Sequence, residues 1–396
     1  MKKKLSLQVF TFVFAIWIAI TSLPLFASDP EAPSDQALPT IAQPQIDSDA
    51  KSMILIEAST GKVLFENNAD EALPPASVTK IMTLLLVMES IERGEIKLTD
   101  SVSVSEKASK MGGSQVYLEV GEQLSVEEMI KCVVIASAND AALALAELVA
   151  GTEEAFVAKM NERAKQLNMN NTNFENTNGL DDTTTNHVIS ARDIATMSRE
   201  LMKHPTILKY TTIWQDSIRN GSFVLTNTNR LIRFYPGANG LKTGSTAKAG
   251  FCISAAAKRE GMQLIAVVMG ASTRDSRNET AKQLLNWGFA NYTRVVIENS
   301  TPFSIPIRYG KQQSIAANYN SFELIVEKNK ASSVATQINL PQTVDAPVQS
   351  GDTIGEIVCT IDQKVVARQS IFATTSVQRN TYGSIFVQLI KKYFLI

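Results

Sequence analysis

Three short stretches of this 396-residue chain bring a hydroxyl close to an amine or an amide. In PPASVTKIMT, residues 74–83, Ser77 and Lys80 stand three apart where an apolar helical run begins. Positions i and i+3 share one face of a helix, so the helix itself would hold the pair together. A serine hydroxyl becomes a strong nucleophile when a base takes its proton. Lysine serves as that base when its surroundings favour the neutral amine. Pro74 and Pro75 block an earlier helical start and place Ser77 in the first turn, where the helix N-terminus favours developing negative charge. The second stretch, Ser137-Ala138-Asn139, offers a hydroxyl and an amide that can relay a proton and hold a peptide backbone. Its alternative is a helix C-cap with asparagine in the left-handed region. In the third, Lys242-Thr243-Gly244, a cation and a hydroxyl at a strand edge can grip a carboxylate. Gly244 lets another backbone approach and pair as an added strand. The alternative there is a solvated lysine beside a turn.

Each stretch is common on its own. Ser48/Lys51, Ser59/Lys62 and Ser245/Lys248 repeat the first spacing in a linker, a turn and a strand entry, and Ser276-Arg277-Asn278 repeats the second. A Ser-His-Asp arrangement would have to use His187, in a loop, or His204, before Pro205, and no Gly-x-Ser-x-Gly elbow is present. Cys132, Cys252 and Cys359 are far apart and odd in number, so neither a disulfide framework nor a metal site is expected, and no cofactor.

These groups need a scaffold. SMILIEASTGKVLFENN reads as a β-hairpin around Ser-Thr-Gly. The run from Ile81 to Ile91 is apolar nearly all round, which predicts a central buried helix. Ser125 and Glu128 form a capping box opening another helix that stops near Ser137. A further helix spans SARDIATMSRELMKH and ends before Pro205. GFCISAAAKREGMQLIAVVMGA reads as two strands, and ETAKQLLNWGFANYTRVV as a closing helix. Helices enclosed between strands predict an α/β (α+β) domain from 49 to 297 with a mainly antiparallel sheet. Residues 301–376 have short β-type runs and predict a small all-β domain. In TYGSIFVQLIKKYFLI, Tyr382, Ile385, Phe386, Leu389, Tyr393 and Ile396 form one apolar stripe beside Lys391 and Lys392, an amphipathic helix over 380–396 that suits a membrane surface and is too short to span.

The ends and the composition bound the setting. MKKK followed by VFTFVFAIWIAI and small residues predicts a signal segment, 1–27, cut after Ala27, and export to the outer face of a bacterial membrane. Residues 28–48, rich in Pro, Ala, Gln and Asp, read as a flexible linker. The formal net charge of −1 gives no electrostatic case for a nucleic-acid partner.

Taken in order, Ser-x-x-Lys, Ser-x-Asn and Lys-Thr-Gly make the chain resemble the penicillin-recognising serine acyl-transferases. Within that group it resembles the low-molecular-weight penicillin-binding proteins that act as D-alanyl-D-alanine carboxypeptidases. PPASVTKIMT, ASANDAA, NTNGLDD and LKTGSTAKAGFCIS all look like segments of that family, and the likeness runs from about residue 49 to the C-terminus. The resemblance implies a helix-flanked antiparallel sheet, then an all-β domain. It implies that Ser77 is acylated, Lys80 is its base, and Ser137 and Asn139 relay protons and hold substrate. Lys242, Thr243, Gly244 and Ser245 would bind the substrate, the first two around the leaving carboxylate and Ser245 with Ser77 through the backbone N–H groups of an oxyanion hole. Arg277 or Arg274 would add positive potential, the alternative for either being a surface ion pair. Implied partners are peptidoglycan stem peptides ending in D-Ala-D-Ala, with β-lactams as covalent inhibitors. A β-lactamase would need a water-activating glutamate motif that no segment supplies, and a silent wall-binding protein would not require Ser77 and Lys80 intact.

Overall fold

The computed structural model describes residues 43–182, 184–299 and 302–394. The expected signal segment, most of the expected linker and Ile396 lie outside the described residues. The expected hairpin is β1 (Ser52–Glu57) with β2 (Val63–Asn67), its turn hydroxyls donating to the Glu57 carboxylate. Next comes α1 (Lys80–Glu92), in which every residue from Lys80 to Met88 is buried. That total burial follows from a segment with no polar face, and it draws Lys80 into the core.

The capping box is present: Glu128 N donates to Ser125 Oγ, and Ser125 N to Glu128 Oε2, opening α2 (Val126–Ile135). After Ala136 the chain turns at Ser137 and re-enters a helix, α3 (Asn139–Ala150). Asn139 therefore begins a helix, and the C-cap alternative fails. α4 (Glu153–Gln166) and α5 (Ala191–Leu201) are each opened by a hydroxyl cap, Thr152 and Ser190. Three long strands follow, β3 (Ala238–Thr246), β4 (Gly250–Arg259) and β5 (Met262–Ala271), and then α6 (Arg274–Asn291). The sheet is antiparallel throughout, in the order β2-β1-β5-β4-β3.

This sheet is a middle layer. Ile54, Ile56, Ile265 and Val267 join the core formed with α1, α2, α3 and α5, while Met53, Leu55, Leu264 and Ala266 join the core under α6. Alternate residues thus go to opposite faces and both are covered, so these strands read as continuous apolar runs. Fully burying each of these Ile, Leu, Val and Met side chains contributes about 1.5–3 kcal/mol.

Two boundaries differ from expectation. Ile46 packs on the core under α6, Ser48 Oγ lies 2.7 Å from Thr280 Oγ1, and Asp49 accepts from Ser272 and Ser276, so the last residues of the expected linker belong to the fold. The expected closing helix stops at Asn291. Tyr292–Ile297 forms β6, a β-branched run that pairs outside the first sheet.

The remaining strands are β7 (Phe303–Arg308), β8 (Ser314–Asn318), β9 (Phe322–Glu327), β10 (Val334–Asn339), β11 (Val344–Asp345), β12 (Thr353–Ile361) and β13 (Lys364–Ala373). β6 pairs with β9, and the others form a six-stranded sheet ordered β10-β12-β13-β8-β7-β11 around Ile305, Ile315, Ile357 and Ile371. Lys62 Nζ donates to the Ile325 carbonyl at 2.7 Å, tying the first hairpin to β9. The chain closes with α7 (Tyr382–Phe394).

Candidate active site

Ser77 sits in a single 3-10 turn, Ala76–Thr79, one step before α1, where Ala76 is left-handed at φ 49°. Lys80 opens α1 and points back: its Nζ lies 2.8 Å from Ser77 Oγ and donates to the Asn178 carbonyl at 2.9 Å. Lys80 is wholly buried. Burial first, then the Lys242 ammonium, hold its amine well below the ordinary lysine range, against the pull of the Asp140 carboxylate. A neutral amine keeps a lone pair, so the same contact lets the serine O–H donate to Nζ while an N–H of the amine stays on Asn178.

The segment Thr177–Gly179 supports this turn from below. Thr83 Oγ1 donates to the Thr177 carbonyl at 2.6 Å. Gly179, at φ 85°, backs directly onto the Ala76 carbonyl, where a Cβ would lie 1.8 Å away. His187 braces the same turn. Glu175 N–H donates to its Nδ1 at 2.9 Å, so Nε2 carries the hydrogen and donates to Thr79 Oγ1 at 2.8 Å, and Thr79 in turn donates to the Ala76 carbonyl. Burial pushes His187 down to about 4, which keeps the ring neutral.

Lys242 brings the second and third motifs together. Its buried Nζ donates to Ser137 Oγ at 2.7 Å and to the Thr243 carbonyl at 2.8 Å. Burial, then the Arg277 guanidinium, push this amine down to about 7. Ser137 is left-handed at φ 64°, a conformation that costs about 1–2 kcal/mol in a residue with a Cβ and that clusters at functional sites. Asn139 Nδ2 donates to the Gly112 carbonyl at 2.7 Å, while its buried Oδ1 has no partner and leaves an acceptor for a substrate N–H. Thr243 Oγ1 donates to Thr228 Oγ1 at 2.8 Å. Gly244 presses against the turn that carries Ser77: a Cβ there would lie 2.6 Å from Ser77 N and 2.9 Å from Val78 N.

Arg277 is buried rather than in a surface ion pair. It donates to Asn278 Oδ1 at 2.9 Å and to the Cys252 carbonyl at 3.3 Å. Arg274 is exposed. Ser77, Ser137, Thr243, Gly244, Ser245 and Arg277 all line one cleft of about 680 Å³.

A D-alanyl-D-alanine carboxypeptidase family model matches residues 39–273, and the model of the penicillin-binding protein 5 C-terminal domain matches 291–379. The chain belongs to the D-alanyl-D-alanine carboxypeptidase family. It is 42% identical to D-alanyl-D-alanine carboxypeptidase DacF of Bacillus subtilis, over 84% of this chain and 86% of that one. With DacC of Escherichia coli the identity is 33% over 87% of each. Among solved structures, penicillin-binding protein 5 from Haemophilus influenzae matches with a TM-score of 0.77 and 30% identity, over 86% of this chain and all of that one. Penicillin-binding protein D2 from Listeria monocytogenes, solved with ampicillin bound, matches 62% of this chain and all of its own at a TM-score of 0.57 and 30% identity.

Within this carboxypeptidase the residues singled out by type and spacing converge, whereas most residues that only repeat those spacings lie elsewhere, Ser245 and Arg277 excepted. Ser59 donates to Glu57 and Lys62 reaches β9; Ser276 bonds Asp49; His204 lies 2.7 Å from Glu92. Sequence reasoning missed the Asn178 carbonyl, Gly179, His187 as a brace, and Asp140, whose buried carboxylate accepts from Val116 N and Leu118 N at 3.1 Å. NTNGLDD was the one local signal for the first two.

Proposed function

We propose that this carboxypeptidase removes the terminal D-alanine from peptidoglycan stem peptides ending in D-Ala-D-Ala, with Ser77 as the acylated nucleophile. The observation that carries the assignment is the 2.8 Å contact between Ser77 Oγ and a wholly buried Lys80 amine. Lys80 takes the hydroxyl proton as Oγ attacks the carbonyl of the penultimate D-alanine. The oxyanion is held by the backbone N–H groups of Ser77 and Ser245, and the close packing of Gly244 on the nucleophile's turn supports that pairing. The tetrahedral intermediate collapses, the leaving D-alanine amine is protonated through Ser137 and Lys80, and water frees the acyl group by the same route reversed. Asn139 Oδ1 accepts a substrate N–H. Lys242, Thr243 and Arg277 hold the departing carboxylate. A β-lactam enters the same reaction and stays on Ser77. Purified protein should release D-alanine from a pentapeptide stem, and fluorescent penicillin should label a peptide containing Ser77. Label on a peptide containing Ser59 or Ser245 but not Ser77 would refute the assignment.

The reading extends to location. Residues 1–27 direct export and α7 rests on the outer face of the cytoplasmic membrane, the all-β domain acting as a pedestal for the catalytic domain. Supporting this, Tyr382, Phe386 and Tyr393 are 95%, 65% and 75% exposed. Thirteen helical residues reach about 20 Å, and among the described residues no helix is long and apolar enough to cross a membrane.

A further inference from the structure

The cleft wall carries more positive charge than one terminal carboxylate requires. Arg230, Arg274 and Arg277 all line it, and among the described residues no aspartate or glutamate does. Arg277 is buried among neutral acceptors and suffices, with Lys242 and Thr243, for the carboxylate of the residue that leaves. Arg230 and Arg274 are exposed, and both lie close enough to act on Arg277 electrostatically. Asp275 opposes them, but it faces a neighbouring cavity of about 490 Å³ that also holds Asn278 and Glu279. Arg230 and Phe234 line both cavities, and Ser77 and Ser137 line only the cleft. The second cavity therefore adjoins the arginine end of the cleft, the side on which the leaving residue sits.

A leaving D-alanine presents only a methyl group there, which leaves the two exposed guanidiniums without a partner from the substrate. We propose that the cleft also releases a C-terminal D-amino acid whose side chain ends in a carboxylate, bound by Arg230 and Arg274 at the arginine end of the cleft itself, which both line. This rests on the reading of Ser77 as the acylated nucleophile. The chemistry is unchanged. Ser77 Oγ bonds to the D-alanyl carbonyl carbon, and the C–N bond breaks. The amine of the leaving residue takes the proton that Lys80 removed, and water hydrolyses the ester. The added specificity comes from charge-assisted hydrogen bonds between guanidinium and carboxylate, the geometry to which arginine is best suited.

The test compares kcat/KM of the full-length enzyme on acyl-D-Ala-D-Ala, acyl-D-Ala-D-Glu, acyl-D-Ala-D-Gln and acyl-D-Ala-D-Lys, reading the released amino acid. D-Glutamate should leave about tenfold or more faster than isosteric D-glutamine, as one charge-assisted hydrogen bond predicts, and D-lysine slowest. Arg230→Gln should lower the D-Glu to D-Ala ratio by about fivefold or more on the same grounds. Equal rates for D-Glu and D-Gln, or an unchanged ratio in Arg230→Gln, would overturn the proposal. So would D-alanine release with no detectable D-glutamate release, and that result would leave the carboxypeptidase reading standing. Failure to release an amino acid from any of the four would sink the carboxypeptidase reading and this proposal together.

Discussion

At the scale of single residues the site is an exercise in placing amines where charge is costly. Lys80 and Lys242 are both wholly buried, and Lys242 is among the causes that depress Lys80. Replacing Lys80 by alanine should slow acylation by penicillin about 10²–10⁴-fold or more, because the serine loses its base; near-wild-type acylation would refute the role. The two amines also set a pH profile. On the proposed roles, activity should rise with pH as Lys80 becomes neutral, and fall again as Lys242, pushed down to about 7, loses the charge proposed to hold the carboxylate. The kcat/KM profile for a D-Ala-D-Ala peptide should be bell-shaped, and Lys242→Arg should move the falling limb to higher pH because a guanidinium stays charged. His187 gives a separate, structural signal. Its folded pKa is depressed from 6.5 to about 4, so its neutral ring contributes stability above the unfolded value that is lost as pH falls through the folded one. The loss is on the order of 3 kcal/mol between those limits. Denaturant unfolding from pH 7 to pH 4 should show that slope, and His187→Gln should flatten it.

At the scale of elements, two glycines decide how closely the parts of the site meet. Gly179 needs both its left-handed φ of 85° and its missing side chain, since a Cβ would overlap the Ala76 carbonyl. Gly179→Ala should cost about 2 kcal/mol or more and also slow acylation, because the loop that carries the Asn178 carbonyl must move off Lys80. Gly244 has no positive φ, and only the approach of β3 to Ser77 N requires it. Gly244→Ala should therefore cost less stability than Gly179→Ala, which adds φ strain and a closer overlap, but should still destabilise, since a Cβ 2.6 Å from a backbone nitrogen forces β3 and the turn apart. It should cut acylation about 10²-fold or more, the scale of a lost oxyanion donor. Stopped-flow acylation beside calorimetry separates the two cases. An equal loss of stability in both variants would contradict the distinction.

At the scale of the whole molecule, β6 carries the chain from α6 into the second sheet, and the Lys62 contact to Ile325 adds a second tie between the two domains. The C-terminal helix stands apart, with a lysine, Lys391, beside its exposed apolar stripe. Removal of residues 380–396 should release a soluble protein that still binds penicillin, measured by fractionation with membranes. Full-length protein that never partitions to membranes, or a truncated form that stays there after signal cleavage, would end the anchor idea.

What could be read from sequence alone is what is local or periodic. Ser77 and Lys80 are adjacent through a helical repeat, the Ser125–Glu128 box spans one turn, and β1 with β2 closes over a short loop, so each is specified by neighbours in the chain. The three motifs in order were enough to point to the family. The meetings across the chain were decided by tertiary structure. Lys80 finds a carbonyl 98 residues away, and Lys242 a hydroxyl 105 residues away. A backbone carbonyl is the same in every residue type, so nothing in the letters marks Asn178 as a partner. The surface ion pair considered for Arg277, the C-cap considered for Asn139 and the helix expected through Tyr292–Val296 failed for one reason: burial and strand pairing depend on what packs alongside, and local propensity carries no information about that. The depressed amines follow the same rule, since they arise from a low-dielectric core and from cations gathered from distant segments, neither of which exists until the chain has folded.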